Sequence, residues 1–441
     1  MRRVHRLANH VLNDSPISAS RAVTQEMLRK RVNHGVALEE FRRTRERSIH
    51  NFSECASPPP SRVVVTGGTG CIGTAMLRHL QAAGVEHLTS ISRRLPAPER
   101  RIRHVDYRTA DIRDISRMQT TLQLKNPELV IHLAGQRQPA LAERRVAETL
   151  SSNIFGTMSV LAAAGEAGVP RVVTASTGKA LRFFASEVYT ASKKLAEYLV
   201  SQGPARWGTS CATVRFTHVV DNSLVYQRIH RWARGGEPIR LHAPGIAFYA
   251  QSAREAAQLL MASSAPQTAS PTIAAIRDIG WPHDLLELAL DVIEEADSDS
   301  AILFSGYEPG YVDQIFPGTF DPLLGDHSPL FNVLETGSGV VSAGSVETLE
   351  LSVSRDSHVD EALAELESVW RNGGGLCRLR EQLQQASIEL LKRTFADASA
   401  GDLLHIWSKA QHTAGGTLEH QIIGRHLEAA VESATSTRVA S

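Results

Sequence analysis

Apolar positions along the 441-residue chain change their period repeatedly, and those changes outline its elements. Pro58-Pro59-Pro60 stops any helix and marks a boundary. The run Arg62-Val-Val-Val-Thr66 beyond it is continuous and β-branched, as in a strand buried on both faces. It enters a glycine cluster and then Thr74-Ala-Met-Leu-Arg-His-Leu-Gln81, which is apolar at helical spacing. Further strands are predicted at His87–Ser92, Ile102–Tyr107, Pro127–Gly135 and Arg171–Ser176, with helical stretches between them, one of which contains Asn153. Strand–helix alternation of this kind specifies an α/β fold with a parallel, doubly wound sheet.

The flanks read differently. Residues 1–60 form a basic, helix-prone extension in which Arg29, Lys30, Arg31, Arg42, Arg43, Arg45 and Arg47 are clustered. Val23, Met27, Val32, Val36, Leu38 and Phe41 give it a loose apolar stripe, which suits packing on the body or on a neighbouring subunit. Residues 61–270 carry the alternating core. A strand at Pro271–Gly280 and a helix at Asp284–Ala296 suggest a small covering part over 271–345, and Tyr307–Leu330, rich in Pro, Gly and Asp, reads as a loop. Leu349, Leu351 and Val353 alternate as in a strand. Residues 346–441 then become mostly helical: Leu376, Leu379, Leu383, Ala386 and Leu390 form a coiled-coil-like seam, suited to body packing, oligomerisation or partner docking.

Composition narrows the class. The chain is 42% hydrophobic with formal net charge +0, which gives no case for attraction to nucleic acid or a membrane surface. Cys55, Cys71, Cys211 and Cys377 are widely spaced, as expected of reduced thiols in a cytoplasmic protein. The eighteen histidines form no His-Glu-x-x-His motif, and no metal is assigned. No signal peptide is expected, and no run approaches the ~18 apolar residues that span a bilayer.

Candidate chemistry begins at the glycines. Gly67, Gly70 and Gly73 stand in a Gly-x-x-Gly-x-x-Gly pattern between a strand and a helix, the context in which it binds a dinucleotide. Gly67 permits the tight turn, Gly70 the approach of a pyrophosphate, and Gly73 close packing of helix on strand. Thr69, Cys71 and Ile72 complete the loop. The second strand ends in Ser92, Arg93 and Arg94, with no acidic residue before Glu99. Arginine at this end accommodates a ribose 2′-phosphate, so NADP is favoured over NAD, although both arginines would also suit a solvated loop. Asp111, with Ile112, is placed to accept from an adenine amino group, whereas Asp114 suits a helix N-cap. The small residues of Leu133-Ala134-Gly135 would let the backbone approach the cofactor.

Thr174 to Tyr198 carries the second group. Ser176 and Thr177 end a strand, and Tyr189 and Lys193 stand one helical turn apart on one face. A lysine so placed can lower the phenol's pKa and fit it for proton transfer.

With these motifs in register, and Asn153-Ile-Phe-Gly-Thr157 and Tyr189-Thr-Ala-Ser-Lys193 among them, the chain resembles an extended short-chain dehydrogenase/reductase. Thr66–Gly73, Ala110–Asp114, Pro127–Gly135 and Ser176-Thr-Gly-Lys-Ala180 narrow the resemblance to the CapD-like polysaccharide-biosynthesis branch of nucleotide-sugar 4,6-dehydratases and epimerases. It runs from about Arg62 to Ala262, and more weakly to Asp313. The resemblance implies a Rossmann-type doubly wound parallel sheet with a small substrate-covering part, to which this chain adds N- and C-terminal helices. It also implies a nicotinamide cofactor, which the two arginines make NADP, and a nucleotide-sugar-like small molecule; a homo-oligomer is expected as well.

Carried over by resemblance, Tyr189 removes a hydroxyl proton during hydride transfer, Lys193 holds the ribose, and Ser176 or Thr177 orients the substrate oxygen. Lys179 is then either an acid/base at the neighbouring carbon or a solvated loop lysine. The branch carries Asp where this chain has Gly178, between Thr177 and Lys179, so the acid that would protonate a departing hydroxyl is missing. Glu187 is either its replacement or an exposed helix-start carboxylate. Arg215-Phe-Thr-His218 and Ile246-Ala-Phe-Tyr249 also depart from the branch on the substrate side. An oxidoreductase or epimerase is therefore preferred to a dehydratase or a non-catalytic NADP-binding protein.

Overall fold

The computed structural model describes residues 17–55, 58–265, 270–307, 316–319, 329–337, 339–351, 353–412 and 416–439. Most of the Tyr307–Leu330 loop thus lies outside the described residues. These residues divide into two compact units interleaved along the chain: 17–48, 217–256 and 278–307 form one, and 49–216, 257–277 and 316–439 the other.

The larger unit is built on a nine-stranded sheet. Its strands are β1 (Arg62–Thr66), β2 (His87–Ser92), β3 (Val105–Thr109), β4 (Leu129–His132), β5 (Arg171–Thr177), β6 (Ser210–Phe216), β7 (Thr272–Ile276), β8 (Val341–Ala343) and β9 (Val346–Glu350). Their spatial order is β8-β9-β7-β6-β5-β4-β1-β2-β3. All neighbouring pairs from β3 to β7 are parallel, and β9 pairs antiparallel with β7 and β8. Val63, Val64 and Val65 are buried, as are Val172 and Val173, which is why these strands read as continuous apolar runs. The third strand starts three residues later than predicted. His104, at φ 59°, turns the chain before it, and the Tyr107 hydroxyl accepts from Ile102 N at 3.1 Å.

Three helices carry or adjoin the predicted site motifs: α1 (Cys71–Ala82), α2 (Gly156–Glu166) and α3 (Val188–Ser201). The Asn153 segment enters α2 through a π-helical turn, Ser151–Phe155. The C-terminal region supplies α4 (Ser357–Arg371), α5 (Leu376–Asp397), α6 (Ala400–Ala410) and α7 (Leu418–Val439). The predicted seam on α5 is real: Leu379, Leu383, Ala386 and Leu390 are buried, while Leu376 is exposed. Helix α5 packs on α3, Phe155 meets Trp370 in a tilted ring contact at 5.0 Å, and Arg380 pairs with Glu143 at 2.6 Å, so the seam serves the body of this unit.

The strand near 271–280 and the helix near 284–296, expected together in a covering part, are separated. β7 is buried on both faces inside the main sheet, whereas Leu285–Glu295 belongs to the smaller unit. There it centres an apolar core that includes Met27, Leu38 and Phe41 of the N-terminal extension. The buried Asp291 carboxylate pairs with Arg31 and accepts from Gly35 N at 2.7 Å and Leu38 N at 2.9 Å. Arg42 pairs with Glu295 and Arg47 with Glu255, so these arginines of the basic cluster are matched by carboxylates of the same unit. Val32, counted in the predicted apolar stripe, is 87% exposed.

Candidate active site

The carboxyl ends of β1, β4 and β5 bring the predicted residues together in the larger unit. β1 lies between β4 and β2, where the direction of strand succession reverses; in open α/β sheets ligands bind at that point. Gly67 follows β1 with φ 74°, and a Cβ there would lie 2.7 Å from Ala134 N. A Cβ at Gly73 would lie 2.3 Å from Gly67 O, so both glycines are needed for the loop to fold against α1 and the β4 loop. Gly70 is the N-cap of α1, no side chain caps that helix, and Thr69 and Gly70 are exposed. A helix start of this kind suits a pyrophosphate.

At the end of β2, Arg93 and Arg94 are exposed, and Ser92 Oγ donates to Arg94 O at 2.8 Å. Asp111 is held by Arg113, whose Nε and Nη2 donate to its two oxygens at 2.9 and 2.6 Å. Those bonds hold its carboxyl below the usual range against the effect of burial. The adenine contact expected of Asp111 would thus compete with Arg113. Ile112 is buried, and it packs where a Cβ on Gly156 would fall, 2.7 Å from its Cδ1. Asp114 caps the next helix by accepting from Arg117 N at 3.0 Å.

Asn153 ties the β4 loop to α3. Its Oδ1 accepts from Gln136 N at 2.7 Å, and its Nδ2 donates to Gln136 O at 3.1 Å and to Ser192 Oγ at 3.0 Å. Gly135 lies against it, where a Cβ would meet Asn153 Oδ1 at 2.8 Å and Lys193 Nζ at 3.7 Å. The π-turn aims Asn153 inward between these two elements.

Tyr189 and Lys193 share one face of α3, but the pair works differently from expectation. Lys193 Nζ donates to Ala175 O at 2.9 Å, and burial lowers its pKa to about 8. The Tyr189 phenol is raised by burial, and what opposes that rise is a hydrogen bond with the Thr177 side chain and the charge of Arg137. The predicted lowering of the phenol by Lys193 is therefore corrected: Thr177 and Arg137 take that part, because the ammonium is turned to the β5 backbone. Ser176, one residue back on the strand, faces the other way. Its Oγ donates to Glu197 Oε1 at 2.5 Å, within a buried network in which Arg215 bridges Glu197 and Glu335. Thr177 is thus brought to Tyr189, and Ser176 is not.

Two loop residues also depart from their bland readings. Lys179 is partly buried and its pKa lowered, with Glu187 and Glu419 opposing that shift. Glu187 is 5% exposed rather than a solvated helix-start carboxylate; burial raises its pKa, and Arg182 Nη1 donates to its Oε2 at 2.5 Å. Its Oε1 is buried without a hydrogen-bond partner. At Gly178, where the branch carries Asp, a Cβ would lie 2.6 Å from Leu330 Cδ2. Sequence reasoning missed Leu330 and Glu419, which lie far along the chain. Glu197 was within reach, four residues beyond Lys193 on the same helical face.

In the smaller unit, His218 Nε2 lies 2.7 Å from Ser223 Oγ, and Phe248 packs edge-on to its ring at 5.0 Å. Burial lowers the His218 pKa to about 4, so the ring is neutral. One residue from each departure, His218 and Phe248, therefore meets His283 and Phe41 in one aromatic group. Among the described residues no group of three or more His, Cys, Asp or Glu is placed to hold a metal, and no helix is long and apolar enough to cross a membrane.

The family described as "Polysaccharide biosynthesis protein" matches residues 63–311, more than half of the chain. The capsular polysaccharide biosynthesis protein CapD of Staphylococcus aureus is 28% identical over 264 residues, covering 56% of this chain and 43% of that protein. An uncharacterized membrane protein of Methanocaldococcus jannaschii is 26% identical over 208 residues, 45% of this chain and 61% of its own. The chain thus spans about half the length of these curated relatives. A UDP-glucose 4-epimerase of Klebsiella pneumoniae is 31% identical over 123 residues, 26% of this chain and 88% of that one. Among solved structures, Pen from Bacillus thuringiensis superposes with TM-score 0.56 at 19% identity, covering 68% of this chain and 91% of its own. The epimerase Mth375 of Methanothermobacter thermautotrophicus gives 0.51 at 18% identity, with 59% and 84% covered. Fold, motifs and match agree that this chain belongs to the polysaccharide biosynthesis protein family, on the Rossmann-type framework of the extended short-chain dehydrogenase/reductases.

Proposed function

We propose that the chain is an NADP-dependent oxidoreductase or epimerase that acts on a nucleotide-linked sugar through a keto intermediate. The residues present fit a dinucleotide: an uncapped helix start follows a positive-φ glycine, and two exposed arginines follow β2, the strand end that faces the adenosine ribose in this fold. Gly67–Gly73, Arg93, Arg94, the Leu133–Gly135 loop and Lys193 would hold it. A bound nicotinamide would supply the hydride acceptor. Tyr189 takes the hydroxyl proton as the carbon is oxidised and returns it on reduction. Thr177 orients both phenol and substrate oxygen, while Lys193, anchored on Ala175 O, would hold the cofactor ribose.

The observation that carries this reading is at Gly178. Eliminating water needs a general acid at the departing hydroxyl, and here the residue has no side chain while Leu330 fills the direction one would take. Oxidation followed by reduction from the other face needs no such acid. A second reading, 4,6-dehydration, is favoured by Glu187, whose raised pKa and unpartnered Oε1 suit a proton donor. Incubation with NADP and a panel of UDP- and dTDP-sugars separates the two. A C4 epimer or a 4-keto sugar formed without loss of 18 mass units supports our reading. Loss of water supports the second and overturns the first, and an absence of turnover on every sugar overturns both.

A further inference from the structure

The loop between Thr177 and Val188 is held from behind by chain that lies beyond the family match, and its two ends carry the chemistry proposed above. Phe183 and Phe184 are fully buried in an apolar cluster with Phe316, Leu391, Phe395, Leu403, Ile406, Ile423 and Leu427. Phe183 meets Phe316 and Phe395 edge-on at 6.3 and 5.5 Å. Asn332 Nδ2 donates to Leu181 O at 2.7 Å, and Leu330 packs on Gly178.

The most specific contact comes from Glu419 at the start of α7. Its Oε1 accepts from Ser186 N at 2.7 Å and Ser186 Oγ at 3.0 Å, and its Oε2 pairs with Arg182 at 3.1 Å. Arg182 in turn bonds Glu187, so one carboxylate from α7 fixes both the middle and the end of the loop. Arg182, Glu187 and Glu419 are each less than a tenth exposed. Desolvating such a group costs about as much as pairing returns, so stability alone does not explain it; a fixed loop geometry does.

We propose that Glu419 is a positioning residue. The C-terminal helices form a built-in brace that holds Lys179 in register with Tyr189 at the start of α3. The catalytic part of the proposal rests on the oxidoreductase/epimerase reading, and the brace itself does not. Losing the carboxylate leaves Ser186 N without its acceptor and Arg182 with Glu187 as its one remaining carboxylate, and displacement of a reacting group by an ångström lowers turnover by about 10²-fold.

The test uses the full chain with Glu419→Ala and Glu419→Gln, the latter keeping volume and one acceptor oxygen for Ser186. Amide hydrogen exchange should rise at 181–187 in Glu419→Ala, less so in Glu419→Gln, and remain unchanged at the glycine loop 67–73. NADP affinity and sugar KM should stay within about twofold, while kcat falls by about 10²-fold in the alanine variant and recovers partly in the glutamine variant. Unchanged exchange at 181–187 would overturn the brace. A kcat equal to that of the unaltered chain would overturn the positioning role of Glu419. If the unaltered chain turns over no sugar, the functional reading fails, and exchange at 181–187 alone still decides the brace. Should Glu419→Ala not fold, Glu419→Gln carries the same exchange measurement.

Discussion

Leu330 stands where a side chain at position 178 would project, 2.6 Å from the place of its Cβ. Leu330 is itself fixed: its carbonyl accepts from Arg215 Nη1 at 2.9 Å, and the adjoining Asn332–Glu335 capping box pairs Glu335 with the same guanidinium. Glycine at 178 and leucine at 330 are thus one arrangement, made of residues 152 positions apart.

Replacing Gly178 by Asp should therefore not create a dehydratase. It forces the buried Leu330 aside, at a cost of roughly 1–3 kcal/mol for an overpacked site. Gly178→Asp is expected to lower the unfolding midpoint and yield no product lighter by one water. Gly178→Asp with Leu330→Ala should regain part of the stability. Calorimetry and mass spectrometry check both, and an undisturbed midpoint in the single variant would count against the packing described.

Thr177 is the partner that holds the Tyr189 phenol down against burial. Removing its hydroxyl with Thr177→Val raises the phenol pKa, so the ascending limb of kcat/KM against pH should move to higher pH. Tyr189→Phe should lower turnover by about 10²–10⁴-fold with NADP binding retained. A Thr177→Val profile that does not move would separate Thr177 from the phenol's titration.

Cofactor choice should be decided at the end of β2. Arg93→Ser removes a charge-assisted contact of the kind worth ~1.5–3 kcal/mol. The Kd for NADP is expected to rise by roughly 10–100-fold, with that for NAD nearly constant. Equal weakening of both would mean that Arg93 does not meet the 2′-phosphate.

His132 predicts an acid weakness in the sheet. It is buried between Thr66 Oγ1 at 2.7 Å and Thr157 Oγ1 at 3.2 Å, and burial lowers its pKa to about 3. Its ordinary value is near 6.5, so below that pH the unfolded chain binds a proton that the folded chain refuses. The contribution to stability is intact above pH 6.5 and is lost as pH falls toward 3, by up to a few kcal/mol. Urea midpoints from pH 7 to 4 should fall less steeply in His132→Asn than in the unaltered chain.

Much of the framework was legible because it is local. Val63–Val65, the spacing of Gly67 and Gly73, and Asp114 before its helix each state their role within a few residues. The direction of Ser176 was legible in part, since neighbours on a strand face opposite ways, but which neighbour faces Tyr189 depends on the sheet's orientation. The burial of Glu187 was not legible, because its surroundings come from Arg182 and from α7, 232 residues later. The separation of Thr272–Ile276 from Leu285–Glu295 was hidden for the same reason: period identifies an element but not its neighbours.

Ser186 and Glu419 are 233 residues apart in sequence, and that distance sets an order of events in biogenesis. At about 5–20 residues per second, the ribosome takes on the order of 10 s or more to deliver α7 after the loop has emerged. During that interval the sheet strands from β1 to β6 are already available to pair, while Phe183 and Phe184 lack most of their apolar cover. The nascent chain therefore passes through a stage in which this loop is adhesive, and the delivery of α7 ends that stage.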